Sequence, residues 1–522
     1  MTKRAEKIVK KLSLEQKVSL MSGRVTLASM QEAMMRDPDS HYNSFPYDAG
    51  GIPELGIPAV RFCDGPRGIV CGTGKSTCYP VSICRGASFD PELERRIGRA
   101  IGEECRAYGG NLFAGVSVNL VYHPGWGRSQ DTYGEDPCHV GEMGKALLLG
   151  VEDKNVIGCV KHYAFNQMEN SRFKVSIDCD RRTEREVFLP HFKKIIEAGA
   201  GAVMSSYNLY QGIYCGHHHY LLTEVLKDEW GFDGFVMSDF GLGIRDTAEA
   251  ANGGQDLEMC DTFWFGERLI DAVRDDFVPE SRINDAALRI VRTLLAFETA
   301  GKRMRQPVSL PAKSHIALAK KAAEEGITLL QNRNCMLPLS RKTAKKILLL
   351  GRLADRENTG DHGSGRVYPP YVVTPLQGIA KVAPRSTVTY YSGENLAHAK
   401  TLAAQADVVL FVLGYDYRDE GEYMTANLDE EYTRIEGGDR TASLGLLPEE
   451  LALVQTVGPV NPKSAVVLIG GNMILLDINN NIDESSLESE LESQVNNNYD
   501  EISFIDYLIG RYAVSPIYLD IP

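Results

Sequence analysis

The chain has 522 residues, more than one compact core usually holds, so two or three domains are expected. A hydrophobic fraction of 43% and a charged fraction of 24% are those of an ordinary folded chain and exclude a disordered or membrane-embedded bulk. The net charge of −14 repels phosphate backbones, which argues against nucleic acid as a main partner and suits an uncharged ligand.

From Met1 to Lys11 the chain is charged and amphipathic, with no apolar core of a signal peptide behind it. No apolar run anywhere approaches the ~18 residues of a membrane span, so a cytoplasmic address with no membrane partner is expected. The 11 cysteines are an odd number scattered without a Cys-x-x-Cys pair, which suits reduced thiols; no metal and no other cofactor is expected.

Through about residue 300, short apolar runs alternate with amphipathic helical stretches. Residues 156–160 and 202–206 read as buried strands, and 182–198 and 220–230 as helices. That alternation implies an α/β fold with parallel strands, in which chemistry collects at the C-terminal strand ends. Polar residues follow an apolar run at three places: Lys161-His162, Ser206-Tyr207-Asn208 and Ser238-Asp239. Each has a bland reading beside the functional one. Asp239, in Ser-Asp-Phe-Gly, taken alone is better read as a turn or helix-capping carboxylate than as one facing a barrel mouth. Lys161 and His162 divide evenly between ligand donors and a carbonyl-bound Lys beside a satisfied core His, with a Schiff-base Lys as a third option.

The segments from Arg61 to Gly68 and from Gly127 to Pro137 are loops punctuated by Gly and Pro and dense in charge, suited to bidentate contacts with hydroxyl pairs. Residues 301–320, basic and carrying Pro307 and Pro311, read as a linker. Beyond it, the continuous apolar runs 347–351, 408–414 and 465–470 read as buried strands of a second α/β domain. An acidic loop follows the second of these and holds Glu420, Glu422 and Glu436. From Met473 to Gly510 Lys and Arg are absent while Asp and Glu recur among Asn and Ser, which reads as a solvated acidic tail.

The ordered motifs Asp64-Gly-Pro-Arg-Gly, Gly127-Arg128, Tyr133-Gly-Glu-Asp-Pro, Lys161-His162-Tyr-Ala, Ser206-Tyr207-Asn208, Glu229-Trp-Gly-Phe-Asp-Gly-Phe-Val-Met-Ser-Asp239, Gly363-Ser364-Gly365 and Gly437-Gly-Asp-Arg440 resemble glycoside hydrolase family 3 over about residues 10 to 475. The resemblance implies an N-terminal TIM-like (β/α)8 barrel over 1–300, the linker 301–320, an α/β sandwich domain over 321–475 that contributes the acid/base loop, and the acidic tail 476–522 as a departure. It further implies a retaining, exo-acting, β-glucosidase-like hydrolase acting on an oligosaccharide or a glycosylated small molecule, with homo-oligomerisation left open. In that reading Asp239 is the nucleophile, and Asp64, Arg128, Lys161, His162, Arg172, Met204, Tyr207, Phe240 and Ser364 surround the terminal sugar. The acid is expected at Glu420, which follows the 408–413 run closely and precedes a Gly; Glu436 shares that Glu-Gly feature, and Glu422 is the third candidate. Lys161-His-Tyr-Ala-Phe-Asn-Gln lacks the His-bearing loop of the family's hexosaminidase branch, and Phe240 stands where a Trp often follows the nucleophile. A sugar-binding relative without catalysis is the alternative; an aldolase-like barrel using Lys161 is more distant.

Overall fold

A computed structural model describes residues 2–26, 28, 29, 32, 35, 40–301, 308–332, 335–423 and 437–475. The acidic stretch 476–522 and Glu436 lie outside the described residues.

The first domain is built on a six-stranded sheet. Its strands lie in chain order: β1 (Tyr47–Ala49), β2 (Val60–Asp64), β3 (Leu112–Ser117), β4 (Ile157–Tyr163), β5 (Ala202–Ser205) and β6 (Phe235–Met237). From β2 onward every pairing is parallel, and Leu257 adds a parallel bridge beyond Met237. β1 instead runs antiparallel to β2. The expected eight strands are thus represented, among the described residues, by five parallel ones and an antiparallel edge. The segment joining β1 to β2 is too short for the helical crossover that parallel pairing requires.

β3 and β4 are buried at every residue, as parallel strands covered on both faces must be. Two of the covering helices, α1 (Pro91–Ala107) and α2 (Pro137–Glu152), begin alike. Asp90 accepts from the Glu92 and Leu93 amides and Asp136 from that of His139, with Pro at the first helical position in both. The helix read over 182–198 is divided. Arg181–Thr183 continues through a wide turn at Glu184–Phe188, and a fresh helix, α3 (Pro190–Glu197), starts where Pro190 has no N–H to continue the ladder. The domain closes with α4 (Glu280–Gly301).

The second half of the expected linker is helical. In α5 (Lys313–Gly326), His315 is held between Glu104 at 2.8 Å and Glu103 at 3.2 Å, both on α1. A four-stranded parallel sheet follows, ordered β8 (Thr387–Tyr391), β7 (Lys346–Leu350), β9 (Val408–Gly414) and β10 (Ser464–Ile469). Helix α6 (Pro375–Val382) packs Ile379 against Leu349, Leu410 and Val412 on one face. On the other, α7 (Leu396–Gln405) and α8 (Pro448–Val457) pack against Leu350, Phe411 and Leu413. Among the described residues no helix is long and apolar enough to cross a membrane.

Candidate active site

The polar ends of the first sheet open onto a cavity of about 270 Å³. Asp64 is the last residue of β2, Lys161 and His162 lie within β4, Met204 within β5, and Asp239 two residues past β6. All line it, together with Arg128, Arg172, Tyr207 and Phe240 from the loops. Two adjacent strand residues ordinarily face opposite sides. The pairing of β4 with β5 loses register between Val160 and Tyr163, and at that break both Lys161 and His162 reach the cavity.

Asp239 is buried, with one carboxylate oxygen committed and the other not. Its Oδ1 accepts from the Phe240 amide at 2.8 Å; among the described residues Oδ2 has no hydrogen-bond partner and lies 3.7 Å from His162 Nε2. Burial pushes its pKa up to about 6, against the pull of Arg172 and Lys161. Burial, with Arg128 and Lys161 close by, holds His162 well below its usual value, so it is a neutral imidazole. Tyr207 donates its hydroxyl to the Phe240 carbonyl at 2.8 Å, which fixes the backbone next to the carboxylate. Arg172 lies over the rings of Tyr207 and Phe173, at 5.1 and 4.9 Å from their centroids.

Across the cavity, the loops that follow β7 and β9 bring His362, Ser364, Tyr368, Glu422 and Tyr423 from the second domain. Glu422 accepts from Arg172 Nη1 at 2.8 Å and from the Ser364 amide, with Arg128 Nη1 at 3.7 Å. Burial works against its charge, but Arg128 and Arg172 outweigh it and hold the carboxyl well below the usual range. Asp361 joins the same seam, accepting from Arg67 Nη1 at 2.8 Å and from the Glu422 amide at 3.0 Å. Arg67, a member of the Asp-Gly-Pro-Arg motif, is therefore buried with both terminal nitrogens bound to Asp361 between the domains.

Glu420, the preferred acid from sequence, does not line this cavity. It is 2% exposed, its carboxylate accepting from the Gly471 amide and pairing with Arg440 Nε at 3.0 Å. Gly421 turns the chain between the two glutamates, packed so closely that a Cβ there would lie 2.7 Å from Asp361 Cβ. Glu422 faces the cavity and Glu420 the seam behind it. Sequence reading also passed over Tyr42, Phe173, Leu242, His362, Tyr368 and Tyr423, all on the cavity wall. These are aromatic and apolar residues on loops, where no periodicity marks them.

The seam is tight at one crossing. A Cβ on Gly127 would come within 2.3 Å of the carbonyl oxygens of both Gly421 and Gly438. Beside it Asp439 accepts from the amides of Gly127 at 2.9 Å, Glu169 at 2.9 Å and Asn170 at 3.0 Å, tying two first-domain loops to the second domain.

Residues 48–293 match the Glycosyl hydrolase family 3 N terminal domain and residues 327–515 the Glycosyl hydrolase family 3 C-terminal domain. A β-glucosidase of Rhizobium radiobacter is 36% identical over 382 residues, covering 71% of this chain and 44% of that one. A β-glucosidase of Bacteroides ovatus is 31% identical over 470 residues, covering 82% of this chain and 62% of that one. The chain thus spans roughly half of the relatives it matches. Among solved structures, the β-D-glucoside glucohydrolase of Trichoderma reesei superposes with a TM-score of 0.80 at 26% identity, over 91% of this chain and 67% of that one.

Proposed function

We propose that this chain, which belongs to glycoside hydrolase family 3, removes terminal β-D-glycosyl residues from the non-reducing end of β-glycosides with retention of configuration. The observation that carries the reading is Asp239: a buried carboxylate with one oxygen that makes no hydrogen bond among the described residues, facing a cavity ringed by Asp64, Arg128, Lys161, His162 and Arg172. Cations and acceptors in such number around a cavity of one sugar's size suit a polyhydroxylated ring rather than an anion. In this reading Asp239 attacks the anomeric carbon and forms a covalent glycosyl-enzyme while an acid protonates the leaving oxygen. The same group, then a base, takes a proton from the water that releases the sugar. We read the first domain as a TIM-like barrel with an antiparallel first strand. None of the 11 cysteines is in a disulfide, which fits a reducing compartment such as the cytoplasm.

For the acid we take Glu436. A general acid must hold its proton near the working pH. Glu422, pinned to Arg172 and Arg128, gives its proton up too readily, and Glu420 is turned away from the cavity. Glu436 immediately precedes Gly437 and Gly438, whose backbone packs against Gly421 at the edge of the site.

A p-nitrophenyl β-glucoside should be turned over, and a 2-deoxy-2-fluoro β-glucoside should leave one sugar mass on the peptide containing Asp239. Asp239→Asn should lose both. If a panel of aryl β-glycosides releases no nitrophenol and no label is taken up, the hydrolase reading fails. Azide should restore turnover to Glu436→Ala, whereas full activity of that variant without azide would reject Glu436.

A further inference from the structure

Tyr42 is among the cavity-wall residues that belong to none of the motifs. Tyr42 sits on the loop before β1, its ring edge-on to Tyr47 at 5.8 Å and to Phe240 at 5.9 Å between centroids. Those contacts aim its hydroxyl at Asp64 Oδ2, to which it donates at 2.9 Å. Burial and the adjacent Asp64 charge raise the phenol well above its usual pKa, so it stays a protonated donor across the working range.

The remaining partners of Asp64 can be counted. Its Oδ1 already accepts from Lys161 Nζ at 2.7 Å and from the Gly65 amide at 2.9 Å. An ionised carboxylate offers about four lone-pair sites. With three taken, one site on Oδ2 remains. Resting on the reading of this cavity as a sugar site, we propose that Tyr42 is a specificity-determining residue that limits Asp64 to a single sugar hydroxyl. A neighbouring hydroxyl must then turn to the Tyr42 oxygen, a neutral acceptor, and hydrogen bonds to a charged acceptor are roughly twice as strong as neutral ones. The substrate class that follows is a β-glycoside whose sugar lacks one of the hydroxyls on the Asp64 side, such as a deoxyhexosyl or pentopyranosyl glycoside. Such sugars lose little here that they would lose on an unencumbered carboxylate. The smaller ring of Phe240 belongs to the same arrangement, since the Tyr42 edge packs against it.

The test is a deoxy scan. kcat/KM is measured for p-nitrophenyl β-glucoside and its 3-, 4- and 6-deoxy analogues, in the wild type and in Tyr42→Phe. In the wild type only one of two neighbouring deoxy positions should be strongly penalised. In Tyr42→Phe the freed Oδ2 site should accept the second hydroxyl, and the penalty at that position should grow about fivefold. A purely structural role for Tyr42 would scale all four substrates together and leave the ratios unmoved. Two strongly penalised neighbours in the wild type, or an unchanged ratio in the variant, overturns the proposal. Binding of glucose and the corresponding monodeoxyglucoses is followed in parallel by calorimetry. A wild type that hydrolyses nothing yet binds with the same single-hydroxyl pattern would reject the hydrolase reading and leave this one standing.

Discussion

Asp239 and Glu422 face the same cavity with their proton affinities pushed in opposite directions. Burial raises Asp239 to about 6 and Arg172 is the strongest force resisting it, while Arg128 and Arg172 together hold Glu422 low. The acidic limb of kcat/KM, which reports the free enzyme, should therefore lie near 6. In Arg172→Met it should move to higher pH as the carboxylate loses its main counter-charge; a limb that stays put would separate the two residues. Glu422 makes a prediction about stability. Its folded pKa lies below its unfolded one, so its contribution is present above the unfolded value and is lost as pH falls through the folded one. Glu422→Gln should cost about 2 kcal/mol in urea unfolding at neutral pH, less than a fully orphaned buried partner would, because Arg128 keeps Asp131 and Arg172 keeps Glu169. The deficit should shrink in acid. At this scale the motif residues were legible, because strand-end polar positions carry their own signal. Which of Glu420 and Glu422 faces the cavity was not, because it turns on one bend at Gly421 that Asp361 enforces from 60 residues away in the chain.

Helices and strands followed the patterns that local chemistry dictates and departed from them where a neighbour intervened. β7, β9 and β10 each fall within one residue of the apolar runs read from sequence. The first part of helix α5 fell inside the expected linker 301–320, because Pro307 and Pro311 mask the good helix formers that follow Ser314. It is held down by Leu318, Ala319 and Ala322 against the first-domain core and by His315 between Glu104 and Glu103, a long-range pairing with no local mark. Burial opposes the imidazole's proton, but the two glutamates outweigh it and raise the pKa. A raised histidine stabilises fully below its unfolded value and ceases to do so as pH rises through the folded one. Substituting His315→Gln should therefore lower Tm by a few degrees at pH 6 and by much less at pH 9; equal losses at both would mean that the ring acts through packing alone.

For the whole molecule, alternating elements and motif order indicated two α/β domains, but nothing in composition indicated how closely they cross. Gly127 is opposed by carbonyls some 300 residues further along the chain, a relation no local pattern encodes. Gly127→Ala should cost about 1–3 kcal/mol by overpacking and should also reduce kcat, because Arg128 is the next residue. A variant with wild-type melting and turnover would show that the crossing can relax. Asp439 draws its three donors from Gly127, Glu169 and Asn170, so a second-domain side chain organises the loops that carry Arg128 and Arg172. The cavity is thus common property of the two domains, and neither domain expressed alone should keep it intact. Recombination within the family has to move both flanks of this junction together, and chimaeras joined at the 301–313 boundary should keep their folds more readily than the geometry of this cavity.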